Sequence, residues 1–229
     1  MPMHPAEESP ADAPRRPPVL VRFALWAFAG VVGLTLLWTQ ASPWLSYPVA
    51  AVSHVALEQV APMWVRSVHK RPGLIEVDTT VEVVAPQSGG RRGEVMLDAD
   101  PGRYAFGLPI FWALLLAAWG AARAPGRLQR ALLGYVLLLP VQAFSLVMYL
   151  LMQLVGATGL DVRALRVEQW QVEAIVYGYQ VGVLVLPTLA PVLMWLLLDR
   201  KFFTDVIVHG WKQSLQAKRR PAARESAGG

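Results

Sequence analysis

Residues 131–156 read ALLGYVLLLPVQAFSLVMYLLMQLVG, a stretch without a single Asp, Glu, Lys or Arg. As a helix rising 1.5 Å per residue, it is long enough to cross a hydrocarbon layer of about 30 Å. Working outward, comparable apolar runs lie at 19–40, 105–122 and 173–198. The expected fold is therefore an all-α integral membrane protein with four transmembrane helices. Hydrophobic residues make up 55% of the 229 and charged ones 16%, with mean hydropathy +0.39. Those values fit a membrane protein better than a soluble domain.

Charge orients the runs. Arg15, Arg16 and Arg22 adjoin the first, and Arg123, Arg127 and Arg130 fill the turn between the second and third. After the fourth come Arg200, Lys201, Lys212, Lys218, Arg219, Arg220 and Arg224. The positive-inside rule makes all three segments cytoplasmic: a disordered tail at 1–18, a turn at 123–130 and a basic tail at 199–229. Residues 41–104 and 157–172 are then extracytoplasmic. The net charge of +5 and pI near 9.8 do not indicate nucleic acid. The basic residues flank apolar runs, without aromatic interleaving, so anionic lipid headgroups are the expected partner. With no cysteine, disulfides, thiolate metal sites and a cysteine nucleophile are excluded.

Two competing organisations fail. Thr39-Gln40-Ala41 resembles a signal-peptide cleavage site, but the apolar stretch from Phe23 to Trp38 exceeds the usual signal core of about 7–15 residues. It also carries Trp26 and Trp38, so an uncleaved signal anchor is expected. A fifth span at 44–65 would reverse the side of the Arg123–Arg130 turn and bury His54 and Glu58 in lipid. Residues 44–64 read instead as an amphipathic helix in the outer interface, with Trp44 and Trp64 near its ends. Leu45, Val49, Val52, Ala56, Val60 and Met63 form its expected apolar side, opposite Ser46, Ser53, His54 and Glu58. Ser46 is the expected N-cap, with Pro48 in the first turn.

A β-hairpin is expected at 74–99. Ile75, Val77, Thr79, Val81 and Val83 alternate with Glu76, Asp78, Thr80 and Glu82. A glycine-rich loop at 88–93 precedes a returning strand at 94–99. A lone hairpin is marginal in water. It has to pack on the interfacial helix, on 157–172 or on another protein.

The third run carries a polar stripe of Gln142, Ser145, Tyr149 and Gln153, and the fourth one of Glu173, Tyr177, Gln180 and Thr188. Each set shares a helical face, so the two are expected to meet inside a bundle. Interhelical hydrogen bonding, worth about 0.6 kcal/mol per contact, is the bland reading. The functional reading is a partner-binding groove made by Gln142, Ser145, Tyr149, Gln153, Tyr177 and Gln180. A solute pathway is a third, weakened by the near absence of charge inside the runs. Pro109, Pro140, Pro187 and Pro191 interrupt the runs, and the last pair should kink the fourth. His54, Glu58 and His69 are too few and scattered for a metal site, and no cofactor is expected. No Walker, nucleophile-elbow or HExxH pattern occurs, so no enzyme active site is expected.

Three stretches carry a family resemblance: Gly107-Leu108-Pro109-Ile110-Phe111, Leu138-Leu139-Pro140-Val141-Gln142-Ala143-Phe144, and Tyr177-Gly178-Tyr179-Gln180 with Leu186-Pro187-Thr188-Leu189-Ala190-Pro191-Val192. With the hairpin before the second run, the chain resembles the exosortase H-associated membrane proteins. The resemblance implies a small inner-membrane protein of Gram-negative bacteria that accompanies an exosortase. Such a transpeptidase processes proteins bearing a C-terminal motif, transmembrane helix and basic end. It uses a cysteine, which this chain lacks, and the family offers no catalytic residues to carry over. The implied partner is the exosortase or its substrate's transmembrane tail. The expected function is that of a non-catalytic accessory protein. A transporter or channel component, and a structural membrane protein, are the alternatives.

Overall fold

The computed structural model describes residues 19–84, 92–121, 126–160, 162–200 and 203–204. Its chain is mostly helical, with a small three-stranded sheet, and three of its helices are long and apolar enough to cross a membrane. Helix α1 (Val19–Leu45) runs through Pro43, well past the expected end of the first span. A single residue, Ser46, separates it from α2 (Tyr47–Val60). Ser46 does not cap α2 with its side chain; its Oγ and its N–H both donate to the Ser42 carbonyl, at 2.6 and 2.9 Å.

The expected apolar side of α2 is corrected by its packing. The helix buries Val49, Ala50, Ser53 and Leu57, while Val52, Val60 and Met63 are exposed. The sides shift because α2 packs along a neighbouring helix, α5 (Arg127–Ala157), where the Ser53 Oγ donates to the Ala143 carbonyl at 3.4 Å. A serine satisfied in this way belongs at a helix contact as readily as an alanine. The next residues also depart from expectation, since Trp64 lies beyond the helix and a strand begins directly after it.

The sheet is a three-stranded antiparallel meander, β1 (Val65–Arg71), β2 (Leu74–Val84) and β3 (Arg92–Ala99), in that spatial order. The expected hairpin is β2–β3; β1 is an addition that the sequence reading missed. Pro72-Gly73 turns β1 into β2, with Gly73 at φ +80°, a conformation glycine adopts without strain. Alternation on β2 holds, with Ile75, Val77, Thr79 and Val81 buried. Of the loop expected at 88–93, residues 88–91 lie outside the described residues, and Arg92 and Gly93 belong to β3.

The sheet finds its cover within the chain. The Lys70 Nζ lies 2.7 Å from the His54 Nδ1 of α2, and the His54 Nε2 lies 2.9 Å from a Glu58 carboxylate oxygen. Just before β1, the Trp64 indole donates to the Leu165 carbonyl of α6 (Val162–Leu165), within the 157–172 segment, at 2.9 Å.

Helix α3 (Pro101–Tyr104) is opened by the Asp100 carboxylate, which accepts from the Gly102 N–H at 2.8 Å. It leads into α4 (Gly107–Ala121), whose 15 residues reach only about 22 Å. The second expected span is therefore short by itself. Helices α3 and α4 run antiparallel to α1. The Trp38 indole donates to the Gly102 carbonyl at one end, and Arg22 donates to the Gly120 carbonyl at the other. The last helical stretch begins at α7 (Gln169–Tyr179), earlier than expected, continues through a π-helical turn at Gln180–Val185, and ends in α8 (Leu186–Leu198). Pro187 and Pro191 supply no N–H to the carbonyls four residues back, and the wider π turn lies just before them.

Candidate functional site

Helices α5 and α7 meet through glycines. A Cβ at Gly178 would lie 2.5 Å from the Met148 sulfur, and one at Gly182 would lie 3.2 Å from the Phe144 ring. Ile175 and Gly182 are buried there. The face that α7 and the π turn turn to α5 thus runs through 175, 178, 179 and 182. Small residues four apart let two helices approach closely. The Gly178-x-x-x-Gly182 spacing was the available sequence signal for this face.

The two polar stripes consequently do not meet as expected. On α5, Gln142 and Ser145 are buried, at 4% and 1% exposure. Ser145 donates back to the Val141 carbonyl at 3.1 Å, whereas neither polar atom of the Gln142 amide has a partner. They border a cavity of about 10 Å³, together with Tyr104, Gly107, Pro187 and Pro191. That is room for about one water, not for a helix. Gly107 belongs at this crossing, because a Cβ there would lie 2.6 Å from the Pro191 ring and 3.0 Å from the Pro187 carbonyl.

Tyr149 joins an aromatic ladder, 5.1 Å from the Tyr104 ring and 6.4 Å from the Tyr179 ring. Gln153 is a tie: its amide donates to the Asp98 carbonyl at 2.9 Å and binds the end of β3 to α5. Tyr104 was not singled out in the sequence, and Tyr179 lay in a stretch that carried the family resemblance with no role assigned to it.

On the last helical stretch, Glu173, Tyr177 and Gln180 point away from α5. Tyr177 is 66% exposed, and Gln180 and Glu173 are exposed. Thr188 donates to the Val185 carbonyl at 3.1 Å. Val181, Leu184 and Val185 are also exposed beside Gln180. The candidate site therefore divides into two faces. Ser145, Tyr149 and Gln153 make internal contacts and Gln142 is buried without a partner, while Tyr177 and Gln180 form an outward polar patch in an apolar surface.

A second polar contact lies at the opposite end of α5. Arg130 donates to Asp199 at 2.5 Å, and Asp199 is only 2% exposed.

No curated protein and no solved structure matches the chain. The family model of the exosortase H-associated membrane protein matches residues 17–202, which takes in every element described above. The three sequence stretches that carried the resemblance fall at the opening of α4, in the middle of α5 and around the π turn. The chain belongs to the exosortase H-associated membrane protein family.

Proposed function

We propose that this protein is a non-catalytic accessory subunit of an exosortase system in the bacterial inner membrane. Its outward face at Tyr177 and Gln180 receives a transmembrane helix of the exosortase or of the substrate's sorting signal. The observation that carries this reading is the Gln180 amide. It lies 11 residues into the 169–198 helical stretch, about 16 Å from its start, and is exposed. Facing lipid, an amide without a hydrogen-bond partner costs at least about 1–3 kcal/mol. A partner helix offering a polar group at that depth removes the cost. Family membership supplies the kind of partner.

A fourth membrane crossing fits the same reading. Gly102 lies against Ser42, and Arg22 reaches Gly120. Helices α3 and α4 together thus accompany about 20 residues of α1, a length of about 30 Å. Four crossings place both termini on one side, which the arginine distribution makes cytoplasmic. The apolar face of the sheet is covered by its own chain, which favours the helix face over the hairpin as the docking surface.

The test is genetic. Cells lacking the gene are expected to accumulate unprocessed substrate bearing a tripartite C-terminal signal, and the wild-type gene to restore processing. A Tyr177→Leu, Gln180→Leu double variant should accumulate normally yet fail to restore it. Normal processing in the deletion strain would sink the proposal.

A further inference from the structure

Helix α2 has three sides. Val49, Ala50, Ser53 and Leu57 are buried on the first. His54 and Glu58 occupy the second, where His54 meets Lys70 of the sheet. The third carries Ala51, Val52, Val55, Ala56 and Gln59, which line a shallow groove along the helix. Trp44, in the last turn of α1, extends this third side, since residues 44, 48, 51, 55 and 59 recur every three or four positions. Trp44 is 73% exposed and Val55 57%, and no Asp, Glu, Lys or Arg falls on this side. An exposed, uncharged apolar surface of this kind marks contact with something other than water.

The neighbours of α2 identify what covers it. Helices α1 and α5 are both long and apolar enough to cross a membrane. A single residue separates α2 from α1, and the Ser53 hydroxyl rests on the Ala143 carbonyl, near the middle of α5. Leu37 of α1 is exposed and lies two turns before Trp44 on the same side of that helix. The open side of α2 therefore continues the lipid-facing surface of α1. We infer that Val52, Val55 and their neighbours lie against lipid acyl chains, so that α2 is set into the bilayer by this side. Trp44 suits the boundary, where an amphipathic ring meets the headgroups. The side with His54 and Glu58 then faces water and carries the sheet outside the hydrocarbon. This lipid side is not the one that the residue pattern selects, because the chain buries Val49 itself. The inference does not rest on the exosortase reading.

The absence of cysteine makes a direct test simple, because single cysteines can be introduced into the full-length chain without removing any. Nitroxide labels are attached to Val52→Cys, Val55→Cys and Glu58→Cys, with Leu37→Cys as the lipid-facing reference, and each protein is placed in phospholipid nanodiscs. Collision of the label with oxygen, which concentrates in hydrocarbon, is compared with collision with a nickel chelate, which stays in water. The oxygen-to-nickel ratio at 52 and 55 is expected to match that at 37 and to exceed that at 58 several-fold. A ratio at 52 and 55 equal to that at 58 places this side in water and overturns the inference. Weak collision with both reagents at 52 and 55 shows that protein covers them, a second copy included, and overturns it equally. If one of the two valine variants does not accumulate, the other decides.

Discussion

Gln142 and Gln180, from the two different stripes, have opposite assigned roles, and single substitutions should separate them. Gln142 is buried with both amide atoms unpartnered. Replacing it with leucine removes that cost and keeps the volume, so Gln142→Leu should hold or raise the thermal midpoint in detergent and leave substrate processing intact. Gln180→Leu should leave the midpoint unchanged and weaken processing. Arg130→Gln strands the buried Asp199 carboxylate and should cost about 3 kcal/mol, read as a lower midpoint. Adding Asp199→Asn should recover most of it. Gly134→Ala places a Cβ 2.0 Å from the fully buried Phe111 ring, so a loss of about 1–3 kcal/mol is expected in the same assay. The polar positions themselves were legible from spacing. Which neighbour each one faces was not, because a helical period fixes angles within one helix and says nothing about the next.

At the scale of elements, the sequence was clearest where one physical signal dominated. The β2–β3 hairpin followed from alternation, and α5 from an uninterrupted apolar run. Strand β1 was invisible because Val65–Arg71 alternates poorly, and its pairing with β2 shifts register between Val65 and Ser67. Helix α2 was found, but its faces were misassigned, since Ser53 hides its hydroxyl on an α5 carbonyl and passes for a surface residue. The α5–α7 contact depends on glycines in a way that composition alone conceals. Gly178→Val with Gly182→Val should force the helices apart and cost about 1–3 kcal/mol or more. Limited proteolysis of membranes should then cut this variant faster than wild type near α7.

For the whole molecule, orientation and partnership are the two claims that matter. A reporter enzyme fused after Gly90 should be active outside the cytoplasm, and one fused after Gly126 inside; the reverse pattern would break the four-crossing arrangement. The apolar runs and flanking arginines made a membrane fold legible from sequence, and the motifs around Pro109, Pro140 and Pro187 made the family legible. Tertiary contacts then moved the proposed docking face from the α5–α7 seam to the outside of the 169–198 helical stretch. The most direct measurement is a photo-crosslinking residue placed at position 180 in living cells that express the exosortase. The account expects a covalent adduct with the exosortase or with a sorting substrate, and none with either from position 142. Lipid adducts alone at position 180, under conditions where processing is active, would contradict it.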